Sequence, residues 1–133
     1  MTANQTAVAL HKILLVDDDK AMTYLNKLML KESDINCQMD ECLNGSEALT
    51  YIKNTQTLPD IILMDINMPV MDGLQFLEAF NHYKNPVPQP YVFMLSSSDR
   101  DMEKCKKMDY PFVKGYFQKP LTEEHIQQIL AIY

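Results

Sequence analysis

Ile13-Leu14-Leu15-Val16-Asp17-Asp18-Asp19 sets four apolar residues directly against three carboxylates, and the same change of character recurs at Ile61-Ile62-Leu63-Met64-Asp65. A third run, Tyr91-Val92-Phe93-Met94-Leu95, ends on Ser96. Each run has the length of a strand, and none alternates apolar with polar residues, so both faces of each strand must be covered. That pattern belongs to a parallel sheet clad in helices, not to an antiparallel sheet with one wet face. Cys37 to Asp40 and Tyr116 to Gln118 are weaker strand candidates.

Helical spacing fills the intervals. Met22, Leu25, Leu28 and Met29 mark a first helix, Ala48, Leu49 and Ile52 a second, and Leu74, Leu77 and Phe80 a third. The last helix has Ile126, Ile129, Leu130 and Tyr133 on one stripe, with Glu123 and Glu124 in its first turn. Thr122 is its expected N-cap, and Leu121 and Ile126 are spaced as a hydrophobic staple. Five strand-helix units imply right-handed crossovers and an α/β architecture: a doubly wound, five-stranded parallel sheet of flavodoxin-like type, strand order 2-1-3-4-5, with helices on both faces. Pro86, Pro88 and Pro90 mark the loop before the fourth strand. Residues 1–10 are small and polar and are expected to form a flexible tail, with residues 11–133 forming one domain.

At 133 residues, 47% hydrophobic and 23% charged, the chain is an ordinary globular length and composition with one core. A net charge of -6 with scattered Lys and Arg lacks the basic footprint of a duplex binder, so no direct nucleic-acid partner is expected. Cys37, Cys42 and Cys105 form an odd set without CxxC spacing, which suits a reducing compartment. No signal peptide or membrane-length apolar run is present, and a cytoplasmic setting is expected.

Ligands of a doubly wound sheet sit at the carboxyl ends of its strands, where Asp17, Asp18 and Asp65 can converge. Two carboxylates about 4 Å apart repel by roughly 4 kcal/mol at an effective dielectric near 20, so the cluster needs a cation. Oxygen-only ligands favour magnesium over zinc. Lys119, after the fifth strand, would bring an ammonium to the same edge, and Ser96 a hydroxyl. Carboxylates, metal, ammonium and hydroxyl are the inventory of phosphoryl transfer, in which an Asp can itself be the nucleophile. Asp19 is either a member of this group or merely the cap of the first helix.

Ile13-Leu14-Leu15-Val16-Asp17-Asp18-Asp19 resembles the opening of response-regulator receiver domains, and Leu63-Met64-Asp65-Ile66-Asn67-Met68-Pro69-Val70-Met71-Asp72-Gly73 resembles their phosphoacceptor motif. Gly115-Tyr116-Phe117-Gln118-Lys119-Pro120 is similar to their fifth-strand signature. The resemblance spans roughly His11 to Tyr133. It implies Asp65 as the acceptor, Asp17, Asp18, Asp65 and the Asn67 carbonyl as ligands of Mg2+, and Ser96 and Lys119 as groups that contact the phosphoryl oxygens. Ser96 and Tyr116 would form the switch. Ser97 and Ser98 are adjacent to the Ser96 slot, and strand alternation turns Ser97 to the opposite face. The stretch from Met108 to Lys114 departs from the family's small Gly-Ala turn, and its Pro111 should stop the preceding helix early.

The resemblance further implies a histidine kinase or phosphotransfer protein as donor and a downstream protein as target, with a homodimer through the fourth helix to fifth helix face compatible with it. Because the last helix reaches residue 133, output through a separate protein is expected. Two rivals differ in class. A phosphohydrolase using an aspartyl phosphate would carry a second Asp two residues after the nucleophile, where this chain has Asn67. A pseudo-receiver would have a vestigial pocket, whereas here every slot is filled.

Overall fold

The computed structural model describes residues 10–83 and 89–133. The expected tail up to Ala9, and Pro86 and Pro88 of the proline cluster, lie outside the described residues. The element order is β1 (Lys12–Val16), α1 (Lys20–Glu32), β2 (Gln38–Cys42), α2 (Gly45–Asn54), β3 (Ile61–Asp65), α3 (Gly73–His82), β4 (Tyr91–Ser96), α4 (Asp99–Met108), β5 (Val113–Gln118) and α5 (Glu123–Ile132). The strands form one parallel sheet in the order β2-β1-β3-β4-β5.

Alternation along each central strand divides the core into two layers. Leu14, Val16, Ile62, Met64, Val92 and Met94 face α2, α3 and α4, where they meet Ala48, Ile52, Phe76, Leu77, Phe80 and Cys105. Ile13, Leu15, Ile61, Leu63, Phe93 and Leu95 face the other way, onto Leu30, Ile126 and Ile129 of α1 and α5. This is why the three runs show no polar interruption: apart from the half-buried Tyr91, every residue is inside, whichever way it points.

Three expectations need correction. The two weak strands are longer or shifted: β2 is Gln38–Cys42 rather than 37–40, and β5 begins at Val113 rather than Tyr116. Both are edge strands with mixed burial, so hydrophobicity does not mark their limits. The expected face of α1 is also rotated. Its buried residues are Thr23, Asn26 and Leu30, while Leu25 and Leu28 are exposed beside Tyr24. The small polar side chains of Thr23 and Asn26 are buried there, and Leu25 and Leu28 lie on the outside.

Other local readings stand. Thr122 caps α5 in a reciprocal box with His125, and Leu121 and Ile126 are both buried. The helix before Pro111 ends at Met108, with Asp109 in the left-handed conformation as its cap. The unusual segment after it is anchored, because Phe112 is buried edge-on to Phe80 and Tyr110 stacks on Phe112.

At the amino end of the sheet Asp60 is a junction. Its Oδ2 accepts the backbone N–H groups of His11 and Lys12, and its Oδ1 accepts the Tyr133 hydroxyl at 2.9 Å. Tyr133 also packs edge-on to Tyr91.

Candidate functional site

Register brings the two principal acids together. Val16 pairs with Met64, so Asp17 and Asp65 leave neighbouring strands β1 and β3 at the same level. The ladder continues one step beyond, with Asp17 N–H on the Cys42 carbonyl and Ile66 N–H on the Leu95 carbonyl, which fixes both acids on rigid backbone. Each is only 4% exposed. Lys119 follows β5, two strands and roughly 10 Å of sheet from β3, so only a long side chain can close the gap. Its Nζ lies 3.0 Å from Asp17 Oδ2 and 3.1 Å from Asp65 Oδ1. The backbone N–H of Lys119 donates to the Ser96 carbonyl at 2.8 Å, pinning that reach.

Two buried carboxylates against one ammonium leave an excess of negative charge. Burial, and then the neighbouring Asp17, push the Asp65 carboxyl up to about 6, although Lys119 and the Asn67 backbone pull the other way. Burial opposes the charge on Lys119, but Asp17 and Asp65 outweigh it and raise the ammonium above its ordinary value. Asp17 Oδ1 accepts the Asp19 N–H, whereas Asp17 Oδ2 is sealed from solvent and has an ion-pair neighbour in Lys119 but no aligned hydrogen bond.

Asp18 is exposed at the rim, and Asp17, Asp18 and Asp65 each offer an oxygen within 4.8 Å of the others. An oxygen-only donor set, surplus negative charge and an under-bonded buried oxygen are what a hard divalent cation needs, so these residues fit magnesium. Asp19 does not join them: its Oδ1 caps α1 by accepting the N–H groups of Ala21 and Met22, which decides the alternative left open by the sequence.

Ser96 is fully buried at the end of β4, while Ser97 is exposed and Ser98 caps α4. Tyr116 is half-buried on β5 among the side chains of the α2–α4 layer, with the Lys106 ammonium 5.7 Å over its ring. Asn67 is exposed two residues past Asp65, and its side-chain amide donates to the Asp101 carboxylate.

Two contributors were missed by sequence reasoning. Gly73 opens α3 under the acid: its N–H donates to the Ile66 carbonyl at 2.8 Å, and a Cβ there would lie 2.7 Å from the Asp65 carbonyl oxygen. Its position in the phosphoacceptor-like motif was the available signal. Asp101 was invisible, since nothing in its local sequence points to a loop 34 residues away. Among the described residues no helix is long and apolar enough to cross a membrane.

Residues 13–131 match the response regulator receiver domain family. The chain is 34% identical to the chemotaxis protein CheY of Halobacterium salinarum over 125 residues, covering 90% of this chain and 97% of that protein. It is 24% identical to the transcriptional regulatory protein CitT of Halalkalibacterium halodurans, where it covers 93% of this chain but spans only 52% of the relative. A two-component response regulator structure from Cytophaga hutchinsonii superposes with a TM-score of 0.79 at 27% identity, over 90% of this chain and 93% of that one. Since the sheet order, the acid pair at its carboxyl edge and the match across nearly the whole length agree, the chain belongs to the response regulator receiver domain family, the phosphoacceptor modules of two-component signalling.

Proposed function

We propose that Asp65 is the phosphoacceptor, with Asp17, Asp18, Asp65 and the Asn67 carbonyl as the ligands of Mg2+. The observation that carries this reading is the ammonium of Lys119 held 3.0 Å from Asp17 and 3.1 Å from Asp65. In the proposed reaction a carboxylate oxygen of Asp65 attacks the phosphorus of a phosphohistidine presented by a histidine kinase or phosphotransfer protein. A P–O bond forms, the P–N bond breaks, and the imidazole nitrogen leaves with the electron pair. Magnesium, when bound, supplies neutralisation of phosphoryl charge. Lys119 supplies a second, covalently anchored positive charge, and rigid strand ends keep the nucleophile aimed. Slow attack of water on phosphorus returns inorganic phosphate and the Asp65 carboxylate, with no external substrate turned over.

The Ser96 hydroxyl then turns to a phosphoryl oxygen and Tyr116 follows, which shifts the population of the α4–β5–α5 face toward one that a downstream protein, or a second copy of the chain, recognises. The setting is the cytoplasm, where the free thiols of Cys37, Cys42 and Cys105 stay reduced.

Intact mass after incubation with acetyl phosphate tests the reading. One base-labile phosphoryl adduct is expected with magnesium, none after its removal by chelation, and none on Asp65→Asn. Labelling of Asp65→Asn to the wild-type extent would move the acceptor elsewhere.

A further inference from the structure

Outside the acid pocket, hydrogen bonds join the first turn of α4 to the loop that follows Asp65. Ser98 N–H donates to Ser96 Oγ at 2.9 Å, and the Ser96 hydroxyl lies 3.2 Å from the Ser98 carbonyl, its acceptor. Ser98 Oγ accepts the Asp101 N–H at 3.3 Å, and the Asp101 carboxylate accepts the Asn67 side-chain amide. The circuit therefore runs from the end of β4, through the start of α4, to a residue two past Asp65.

Helix capping alone does not account for Asp101. Ser98 already caps α4, and Asp99 in the same turn already favours the positive end of the helix. Asp101 instead turns sideways, half-buried, to a different loop. The Ser96 hydroxyl has one proton, and that proton is engaged by Ser98. A hydroxyl that turns its proton to a phosphoryl group must release the Ser98 carbonyl, which loosens the hold of β4 on Ser98, and Asp101 is tied to Ser98 through its own N–H.

We infer that Asp101 is a positioning residue for the phosphoryl-transfer reaction: by gripping the Asn67 amide it latches α4 to the phosphoacceptor loop in the unphosphorylated arrangement. Phosphorylation has to break this latch, which holds back labelling and ties the release of α4 to it. The inference rests on the reading of Asp65 as acceptor.

The test compares initial rates of labelling by acetyl phosphate with magnesium for wild type, Asp101→Ala and Asp101→Asn, alongside amide exchange of the first turn of α4. Loss of one hydrogen bond to a charged group at a partly solvated site corresponds to a roughly fivefold change in a two-state population. Asp101→Ala is expected to label roughly fivefold faster, with faster exchange at Met102 and Glu103. Asp101→Asn keeps an acceptor for Asn67 and is expected to stay near wild type.

Wild-type rates in Asp101→Ala would overturn the latch. Equal acceleration in Asp101→Asn would assign the effect to the removed charge, which overturns it too. If Asp101→Ala does not fold, Asn67→Ala breaks the same bond from the other side and keeps the backbone carbonyl. It should label faster in the same proportion, and an unchanged rate again sinks the latch. Failure of the wild type itself to label speaks against the acceptor assignment and not against the latch.

Discussion

Asp65 carries its charge at a cost to the unliganded fold. Burial and then Asp17 raise its carboxyl from the ordinary 3.8 to about 6. The folded protein thus holds this proton more tightly than the unfolded chain. The favourable contribution is complete below pH 4 and is lost as pH rises through about 6, which at two units of pKa amounts to about 3 kcal/mol by pH 7. Asp65→Asn is therefore expected to be more stable than wild type by up to about 3 kcal/mol at pH 7 and to lose that advantage near pH 4. Urea denaturation at both pH values checks it, and an equal gain at both would assign the effect to packing. Magnesium, binding the ionised wild-type pocket, should narrow the gap at pH 7. The acids and Lys119 were legible in sequence because each stands at the carboxyl end of a strand or within two residues of it, so fold class alone sets them at one edge. Whether Asp19 belonged to the group was not legible, because a cap and a ligand have the same residue type and differ only in where the oxygen points.

Strands β1, β3 and β4 announce themselves because burial on both sides keeps polar residues to their ends, at Lys12, Asp65 and Ser96. Edge strands β2 and β5 do not, and α1 presents Tyr24, Leu25 and Leu28 to solvent while burying Thr23 and Asn26. A stripe of apolar residues shows that a helix exists, but which way it is rolled depends on the shape of the sheet beneath. Close approach of elements is equally hidden from local pattern. At the β3–α3 junction a Cβ on Gly73 would meet the Asp65 carbonyl at 2.7 Å and the Ile66 Cα at 2.8 Å, both of them backbone. In an open helix Gly73→Ala would stabilise by about 1 kcal/mol through propensity. Here the clash should dominate, with a net loss of about 1–3 kcal/mol and slower labelling of Asp65 as its carbonyl is pushed aside. A thermal melt and the mass assay together check this; a more stable variant with normal labelling would show that the junction yields easily.

Across the whole molecule, chemistry and chain connection occupy opposite ends of β3. Asp65 closes the strand among the acids, and Asp60, just before it, holds both the His11–Lys12 backbone and the Tyr133 hydroxyl. Five residues of strand separate these ends by about 17 Å. Residues 11 and 133 are therefore near neighbours in space although they are the width of the sequence apart. A circular permutant that joins them by a short Gly-Ser linker and opens at exposed Asp34 is expected to fold and to retain magnesium-dependent labelling, as read by intact mass. Loss of labelling in a folded permutant would mean that strain at Asp60 is felt along β3. The Asp60 junction thus makes the unit portable: spliced into a longer polypeptide, it would receive both connections at one small spot and leave its acidic rim unobstructed for whatever comes to dock.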